Sequence, residues 1–405
     1  MKIVNFYLIL ILILNTSCYA KENNRNTEVN INEGKGNTKQ QELKLGIERP
    51  QEYLPLLEGK SVALVVNQTS AIGENHLVDI LLSEKMAVKT IFAPEHGFRG
   101  KADAGEKVKD GVDVKTGLPI ISLYGKHKKP TPEDLKNIDI VVFDIQDVGA
   151  RFYTYISTLH YIMEACAENN IKVLVLDRPN PNGHFVDGNV LDLKFKSFVG
   201  MHPIPVVHGM TIAEYAQMIN GEKWLENGLQ CDLEIIKCEN YDRNEIYELP
   251  IKPSPNLPNA QSINLYPSIC FFEGTQISIG RGTAFPFQVV GSPLTKQEGS
   301  DFTFIPKSTS GAKYPKHENK ECYGLDLRNE KTFNSLDLTL LIQFYKRYKD
   351  KDHFFLENNF IDLLAGTDQL RKDIQAGKTA KEIKASWEPA LSQFKETRKK
   401  YLLYK

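Results

Sequence analysis

The sequence predicts an α/β fold: an N-terminal doubly wound parallel sheet followed by a smaller C-terminal α+β domain. Three observations carry this reading. Apolar, β-branched runs recur at 61–66, 88–93, 119–123, 138–143 and 172–176, with helix-period segments among them. The runs are apolar at successive positions, as strands are when helices cover both faces of a sheet. After about Gly209 this alternation gives way to mixed patterns.

Taken in order, the run at 61–66 opens the sheet, and periodicity over 76–84 predicts the first covering helix. The strand at 88–93 follows, then those at 119–123 and 138–143, a helix over 152–168, and the strand at 172–176. Residues 211–220 read as a helix with Thr211 near its start, and 232–237 as a strand. The stretch Pro253-Ser254-Pro255-Asn256-Leu257-Pro258-Asn259 marks a domain junction. Beyond it, 263–288 is rich in Gly, Ser, Thr and aromatic residues, while 336–348, 360–377 and 380–401 read as amphipathic helices. No internal repeat is present.

The chain has 405 residues, 50 Lys+Arg and 51 Asp+Glu, for a net charge of −1. That balance excludes a nucleic-acid partner and an electrostatically held membrane. Met1-Lys2, the apolar run from Leu8 to Leu14, and Thr16-Ser17-Cys18 form a leader too short to span a bilayer, so residues 1–20 are expected to be a signal peptide. Cleavage before Cys18 would leave a lipid-anchored protein at the periplasm or cell surface; cleavage after Ala20 would release it. Asn15 stands where a lipobox usually has Leu. Residues 21–45 are polar and read as a flexible tether, leaving domains at 46–260 and 261–405. The remaining cysteines, Cys166, Cys231, Cys238, Cys270 and Cys322, are odd in number and form no C-x-x-C, which argues against a disulfide framework or zinc ribbon; only Cys231 and Cys238 are candidates to pair.

Each strand breaks into chemically capable residues at its carboxyl end: Asn67, Pro94-Glu95-His96-Gly97, Tyr124-Gly125, Asp144-Ile145-Gln146-Asp147, and Asp177-Arg178-Pro179-Asn180. In open parallel sheets the ligand crevice lies there, so these residues are expected to converge. The dinucleotide and phosphate-loop glycine motifs, the serine elbow and the H-E-x-x-H zinc motif are all missing from the sequence. No cofactor is expected. A metal clasp from Asp144, Asp147 and Asp177 is a lesser alternative, because clustered histidines are lacking. What the strand ends do hold is carboxylates beside arginines and aromatics, with Glu273 and Arg281 further on. Glycoside hydrolysis needs an acid to protonate the leaving oxygen and usually a second carboxylate. A half-buried glutamate walled by aromatic rings can keep its proton near neutrality. Tyr and Phe suit the apolar faces of a pyranose, and Arg suits a substrate carboxylate.

The chain resembles the exo-β-N-acetylmuramidases first catalogued as a domain of unknown function, the NamZ-like glycoside hydrolases. The resemblance rests on Asn67-x-Thr69, Pro94-Glu95-His96-Gly97-Phe98-Arg99-Gly100, Asp103-Ala104-Gly105 and Tyr124-Gly125. It extends through Asp144-x-Gln146-Asp147-x-Gly149-x-Arg151-Phe152-Tyr153-Thr154-Tyr155, Asp177-Arg178-Pro179-Asn180-Pro181 and His208-Gly209-Met210-Thr211. In the C-terminal part it takes in Leu257-Pro258-Asn259, Tyr266-Pro267, Glu273-Gly274-Thr275 and Gly280-Arg281-Gly282-Thr283. Where the family's first motif often reads Asn-His-Thr-Gly, this chain has Asn67-Gln68-Thr69-Ser70.

The resemblance implies a Rossmann-like N-terminal domain, a cleft between the domains, and removal of single N-acetylmuramic acid (MurNAc) units from non-reducing ends of peptidoglycan fragments such as MurNAc-GlcNAc. Glu95 matches the family's proposed catalytic glutamate, with Asp144 or Glu273 as the partner carboxylate. Arg151, Arg178 and Arg281 are candidates for the lactyl carboxylate of muramic acid. His96, Gln146, Asn180 and Asn259 are candidates for hydroxyl and acetamido groups, with Asn67, Arg99, Tyr124, Asp147, Tyr153 and Asp177 completing the expected binding set. The rival reading is a surface lipoprotein that captures muramyl sugars without cleaving them.

Overall fold

Helix α1 (Pro50–Leu57) begins at a proline, where the missing N–H costs nothing. It precedes β1 (Ser61–Val66), whose sequence Ser-Val-Ala-Leu-Val-Val is buried from its second residue on. The computed structural model describes residues 42–95, 97–98, 110–296 and 302–405. The leader with Cys18, the tether up to Gln41, His96 and the Arg99–Gly105 part of the second motif lie outside the described residues.

A small hairpin, β2 (Ala71–Ile72) with β3 (Asn75–His76), leads into α2 (Leu77–Ser83) and β4 (Ala87–Ala93). Then come β5 (Gly111–Val112), β6 (Pro119–Ser122), β7 (Ile140–Asp144), α3 (Tyr155–Glu168) and β8 (Lys172–Leu176). Helix α4 (Ile212–Gly221) and β9 (Leu233–Ile236) complete the set. The sheet order is β5-β6-β4-β1-β7-β8-β9, parallel throughout except at the β5 edge. From β1 the chain steps through β4 and β6 on one side, then crosses to β7, β8 and β9 on the other. The order therefore reverses between β1 and β7, as in the doubly wound dinucleotide-binding arrangement.

The period of two along each strand sorts side chains onto two cores. Ala63, Val65, Val141, Phe143, Val173 and Val175 point to one face, against Ile156, Leu159 and Met163 of α3 and Ala213 and Ala216 of α4. Val62, Leu64, Val66, Val142 and Leu174 point to the other, against Tyr53 and Leu57 of α1 and Leu77 and Leu81 of α2. Thr211 starts α4 through a capping box, its hydroxyl accepting the Glu214 N–H while Glu214 accepts the Thr211 N–H.

The C-terminal half opens with α5 (Ala260–Ile269), capped by Asn259, which composition alone did not foresee. Strands β10 (Val289–Ser292), β11 (Thr303–Phe304) and β12 (Cys322–Asp326) form an antiparallel sheet with β12 in the middle. Helices α6 (Thr339–Arg347), α7 (Phe360–Ala365), α8 (Gln369–Gln375) and α9 (Ala380–Arg398) follow. The single helix expected over 360–377 is two, broken where Gly366 turns left-handed at φ +69°. A Cβ there would sit 2.8 Å from the Arg151 guanidinium, so only glycine fits. All five cysteines of the described residues are free, so Cys231 and Cys238 do not pair; their thiols instead face the carbonyls of Asp232 and Asp177.

The C-terminal tail clasps the edge of the large sheet. Asp177, fully buried after β8, accepts from Thr211 Oγ1 (2.8 Å), the Ala213 N–H (3.0 Å) and the Tyr404 hydroxyl (2.6 Å). The Tyr404 oxygen in turn accepts the Cys238 N–H at 2.8 Å. Tyr404→Phe leaves both groups short of a partner. The expected cost is about 1–3 kcal/mol, read as a lower urea midpoint at unchanged m-value.

Candidate active site

A cavity of about 810 Å³ opens among the described residues. Its N-terminal wall carries Glu95 after β4, Tyr124 after β6, and Phe152 and Thr154 ahead of α3. Its C-terminal wall carries Tyr266, Glu273, Arg281 and the loop from Gly311 to Lys316. Phe360 and Leu364 of α7 close it.

Glu95 sits at a turn completed by Gly97, whose N–H bonds the Pro94 carbonyl and whose φ is +73°. The Tyr124 hydroxyl donates to Glu95 Oε1 at 3.2 Å, and Thr154 Oγ1 donates to Oε2 at 3.0 Å. Tyr155 holds the Glu95 backbone carbonyl at 3.4 Å. Both carboxyl oxygens are thereby aimed. Burial, and then the nearby Glu95 charge, push the Tyr124 phenol above its ordinary value, so it remains a donor.

Glu273 lies in the 3₁₀ turn Cys270–Gly274. Arg281 donates through Nε to Glu273 Oε1 at 2.7 Å and brings Nη2 within 2.6 Å of the same oxygen, leaving Oε2 without a hydrogen-bond partner among the described residues. The Arg281 guanidinium lies over the Phe287 ring at 5.0 Å, and Phe287 packs on Tyr266. Lys316 directs its ammonium at the carbonyls of Phe272, Thr275 and Ile277, on both sides of Glu273. Burial pushes Lys316 down to about 8, partly offset by Glu273 and reinforced by Arg281. Arg281, Lys313 and Lys316 bring cations to the lining beside the carboxylates of Glu95 and Glu273.

Of the expected residues, Glu95, Tyr124, Glu273 and Arg281 line this cavity; the others described do not. Asp144 is fully buried and paired with Arg178 through Nε–Oδ1 (2.5 Å) and Nη2–Oδ2 (2.9 Å), so neither faces the cavity. Arg151 is fully buried on the carbonyls of Asn189, Ile204, Leu364 and Ala365. Asn67 accepts from the Thr69 N–H and hydroxyl, Gln146 donates to the carbonyls of Asp147 and Pro179, and Asn180 braces Met210 and Asn182. Tyr153 donates to the Pro253 carbonyl, Asn259 caps α5 and reaches Gln288, and Asp177 holds the tail. Asp144, Asp147 and Asp177 are thus engaged separately, and no metal clasp forms from them. The point where strand order reverses is filled by this polar network, and the opening lies to one side of it, over β4 and β6. Thr154 stood inside a quoted motif, but its position against Glu95 had no sequence signal. Phe198 and the Gly311–Lys316 loop belong to irregular segments whose fold periodicity does not report.

Two glutamates brought by the two halves of one chain into a cavity with aromatic and cationic residues in its walls fit a glycosidase-type site on a doubly wound scaffold. The comparisons sharpen that class. Residues 62–261 match the family model described as exo-β-N-acetylmuramidase NamZ, N-terminal, and residues 264–404 the corresponding C-terminal model. The chain therefore belongs to the NamZ exo-β-N-acetylmuramidase family. It is 41% identical over 373 residues to the peptidoglycan β-N-acetylmuramidase NamZ of Bacillus subtilis (strain 168), covering 87% of this chain and 89% of that one. Crystal structures of two DUF1343 family proteins from Bacteroides fragilis NCTC 9343 share the fold. One has TM-score 0.83 at 48% identity and the other 0.78 at 30%, each covering 90% of this chain and 99% of its own.

Asp147 supplies a test of the buried network beside the site. Its Oδ2 accepts the Gly149 N–H at 2.7 Å, while Oδ1 has no partner among the described residues. Burial pushes the carboxyl up to about 7, against backbone N–H groups that pull it down. His208, 3.8 Å away, is itself pushed down to about 3 by burial and brings no compensating charge. A raised carboxyl stabilises the fold fully below its unfolded value and loses that contribution as pH rises through the folded one. Asp147→Asn should therefore gain on the parent between about pH 4 and 7, with a slope on the order of 1.4 kcal/mol per pH unit at most. Urea melts of both proteins across that range measure it.

Proposed function

We propose that this cavity hydrolyses the glycosidic bond of a non-reducing terminal MurNAc in peptidoglycan fragments, with Glu95 as general acid and Glu273 as the second carboxylate. The arrangement of these two glutamates carries the reading. Glu95 has both oxygens aimed by hydroxyl groups, whereas Glu273 has one oxygen pinned by Arg281 and the other left over. As the bond to the leaving sugar breaks, Glu95 gives its proton to the departing oxygen. Positive charge grows on the MurNAc ring, facing Glu273 Oε2, and water completes the reaction by bonding to the anomeric carbon and giving one proton to a carboxylate of the pair. Phe152 and Tyr266, packed edge to face at 5.3 Å, supply apolar surface for the pyranose. Arg281 receives the lactyl carboxylate; Lys316 has committed its donors to backbone carbonyls. The activity named for the Bacillus subtilis relative supports the same reading.

Replacing either glutamate tests the assignment on MurNAc-GlcNAc. Glu95→Gln and Glu273→Gln should each lower kcat by about 10²- to 10⁴-fold with the fold intact by circular dichroism. Full activity in Glu95→Gln sinks the acid assignment. Thermal stabilisation of the parent protein by the disaccharide without release of MurNAc would identify a binder instead.

We further propose that the leader exports the chain and that Cys18 becomes its lipid-modified first residue, on the strength of the apolar run ending in Ser17-Cys18 and the polar stretch after it. Mass spectrometry of the mature N-terminus decides this: a diacylglyceryl cysteine supports it, and an unmodified N-terminus at Lys21 refutes it.

A further inference from the structure

Ser197 and Gly200 exchange two backbone hydrogen bonds, at 2.9 and 3.0 Å, making Phe198 and Val199 the central pair of a tight turn. Such positions ordinarily carry Gly, Asn, Asp or Ser. Here two apolar side chains occupy them, half-buried, and both line the cavity. The turn is fixed from behind by α3. Ser157 Oγ donates to the Phe198 carbonyl at 2.8 Å, and the Tyr161 ring runs nearly parallel to Phe198, offset at 6.3 Å between centroids. The Lys128 ammonium stands 4.5 Å from the Phe198 ring centre.

Contacts along the wall give this turn a place relative to the chemistry. Phe198 neighbours Tyr124 at 6.4 Å between ring centres, and Tyr124 holds one oxygen of Glu95. Thr154, two residues after Phe152, holds the other oxygen. Phe152 packs on Tyr266, Tyr266 on Phe287, and Phe287 under Arg281, which holds Glu273. Followed from contact to contact, Glu95 comes between Arg281 and the Phe198 turn. A substrate whose carboxylate lies at Arg281 and whose scissile oxygen lies at Glu95 can set its leaving sugar against Phe198.

We infer that the Phe198–Val199 turn and Tyr124 form the subsite for the leaving sugar, an N-acetylhexosamine on the reducing side of the cleaved bond. The aromatic and aliphatic surface takes the C–H face of the pyranose, and the Lys128 ammonium reaches its hydroxyl or acetamido oxygens. This subsite rests on the assignment of Glu95 as the acid. Binding energy drawn from a part of the substrate remote from the bond being broken appears in the reaction rate.

The test compares kcat/KM for MurNAc-GlcNAc with that for methyl β-N-acetylmuramide, whose leaving group has no ring. In Phe198→Ala the preference for the disaccharide should fall by about tenfold, and Phe198→Tyr should restore it. Equal losses on both substrates would mean that Phe198 only supports the fold, and an unchanged ratio would place the leaving sugar elsewhere; either overturns the subsite. If the parent protein releases no MurNAc from either compound, the hydrolase reading fails by itself. Titration with GlcNAc then judges the subsite: weaker binding in Phe198→Ala upholds it, and equal binding overturns it.

Discussion

The cavity depends on a buried cation that never touches it. Arg151 is fully enclosed and has no carboxylate partner among the described residues; its two terminal nitrogens instead donate to four backbone carbonyls, while Nε has no partner among the described residues. Two belong to the segment after β8, at Asn189 and Ile204, and two to the end of α7, at Leu364 and Ala365. Burial pushes the group down to about 9, which measures how unwelcome the charge is there. The compensation is positional. Arg151 begins the chain segment that delivers Phe152 and Thr154, so it fixes one support of Glu95. By gripping α7 it also fixes the helix whose Ile361 backbone lies against Gly274, where a Cβ would come within 2.5 Å. Glu273 is the residue before that glycine. One guanidinium therefore ties both carboxylates to a common frame, and the left-handed Gly366 exists to make room for it.

The same economy explains why the opening departs from the usual place for this topology. Between β1 and β7, where strand order reverses, the Ser70 hydroxyl donates to the Asp144 carbonyl and Thr69 reaches the Gln146 N–H. Asp144 and Arg178 neutralise one another below them. A buried ion pair of this kind is costly to break from one side but offers no free charge to a ligand. With that crevice closed, the carboxyl ends of β4 and β6 are what remain, and the C-terminal half covers them.

Legibility in the sequence followed the range of the interactions. The parallel sheet was readable because each strand announces itself by local apolar runs, and the alternation of Val62, Ala63, Leu64 and Val65 between two cores is a period-two pattern. Thr211 signalled a helix start by the same local logic. Glu95, Tyr124, Glu273 and Arg281 were found by residue type at strand ends and in motifs. Polar type could not separate them from Asp144, Arg151 and Arg178, since a charged residue after a strand serves equally as ligand or as internal brace. Only the partner, 34 residues away for Asp144 and up to 214 away for Arg151, decides which. Phe198 lay at the opposite limit, an apolar residue in a turn with no periodicity to mark its side of the chain.

Glu95 and Glu273 are supported in different ways, and this bears on how the site holds its geometry. Glu95 follows a sheet strand, and its oxygens are aimed by hydroxyls on two other elements. Glu273 stands in a short 3₁₀ turn that belongs to neither sheet. The chain on both sides of it is held by Lys316, on the carbonyls of Phe272, Thr275 and Ile277, and by His317 Nε2 on that of Gln276 at 2.7 Å. These are side-chain donors doing what a neighbouring strand would do elsewhere. An ammonium serves this purpose because it offers three donors from one atom, and carbonyls converging from a turn cannot be met by a regular ladder. Its depressed proton affinity comes first from burial, which Glu273 offsets in part and Arg281 reinforces. The segment carrying the second carboxylate therefore leans on an ammonium whose own proton affinity is depressed, whereas Tyr124 and Thr154 hold Glu95 through neutral hydroxyls.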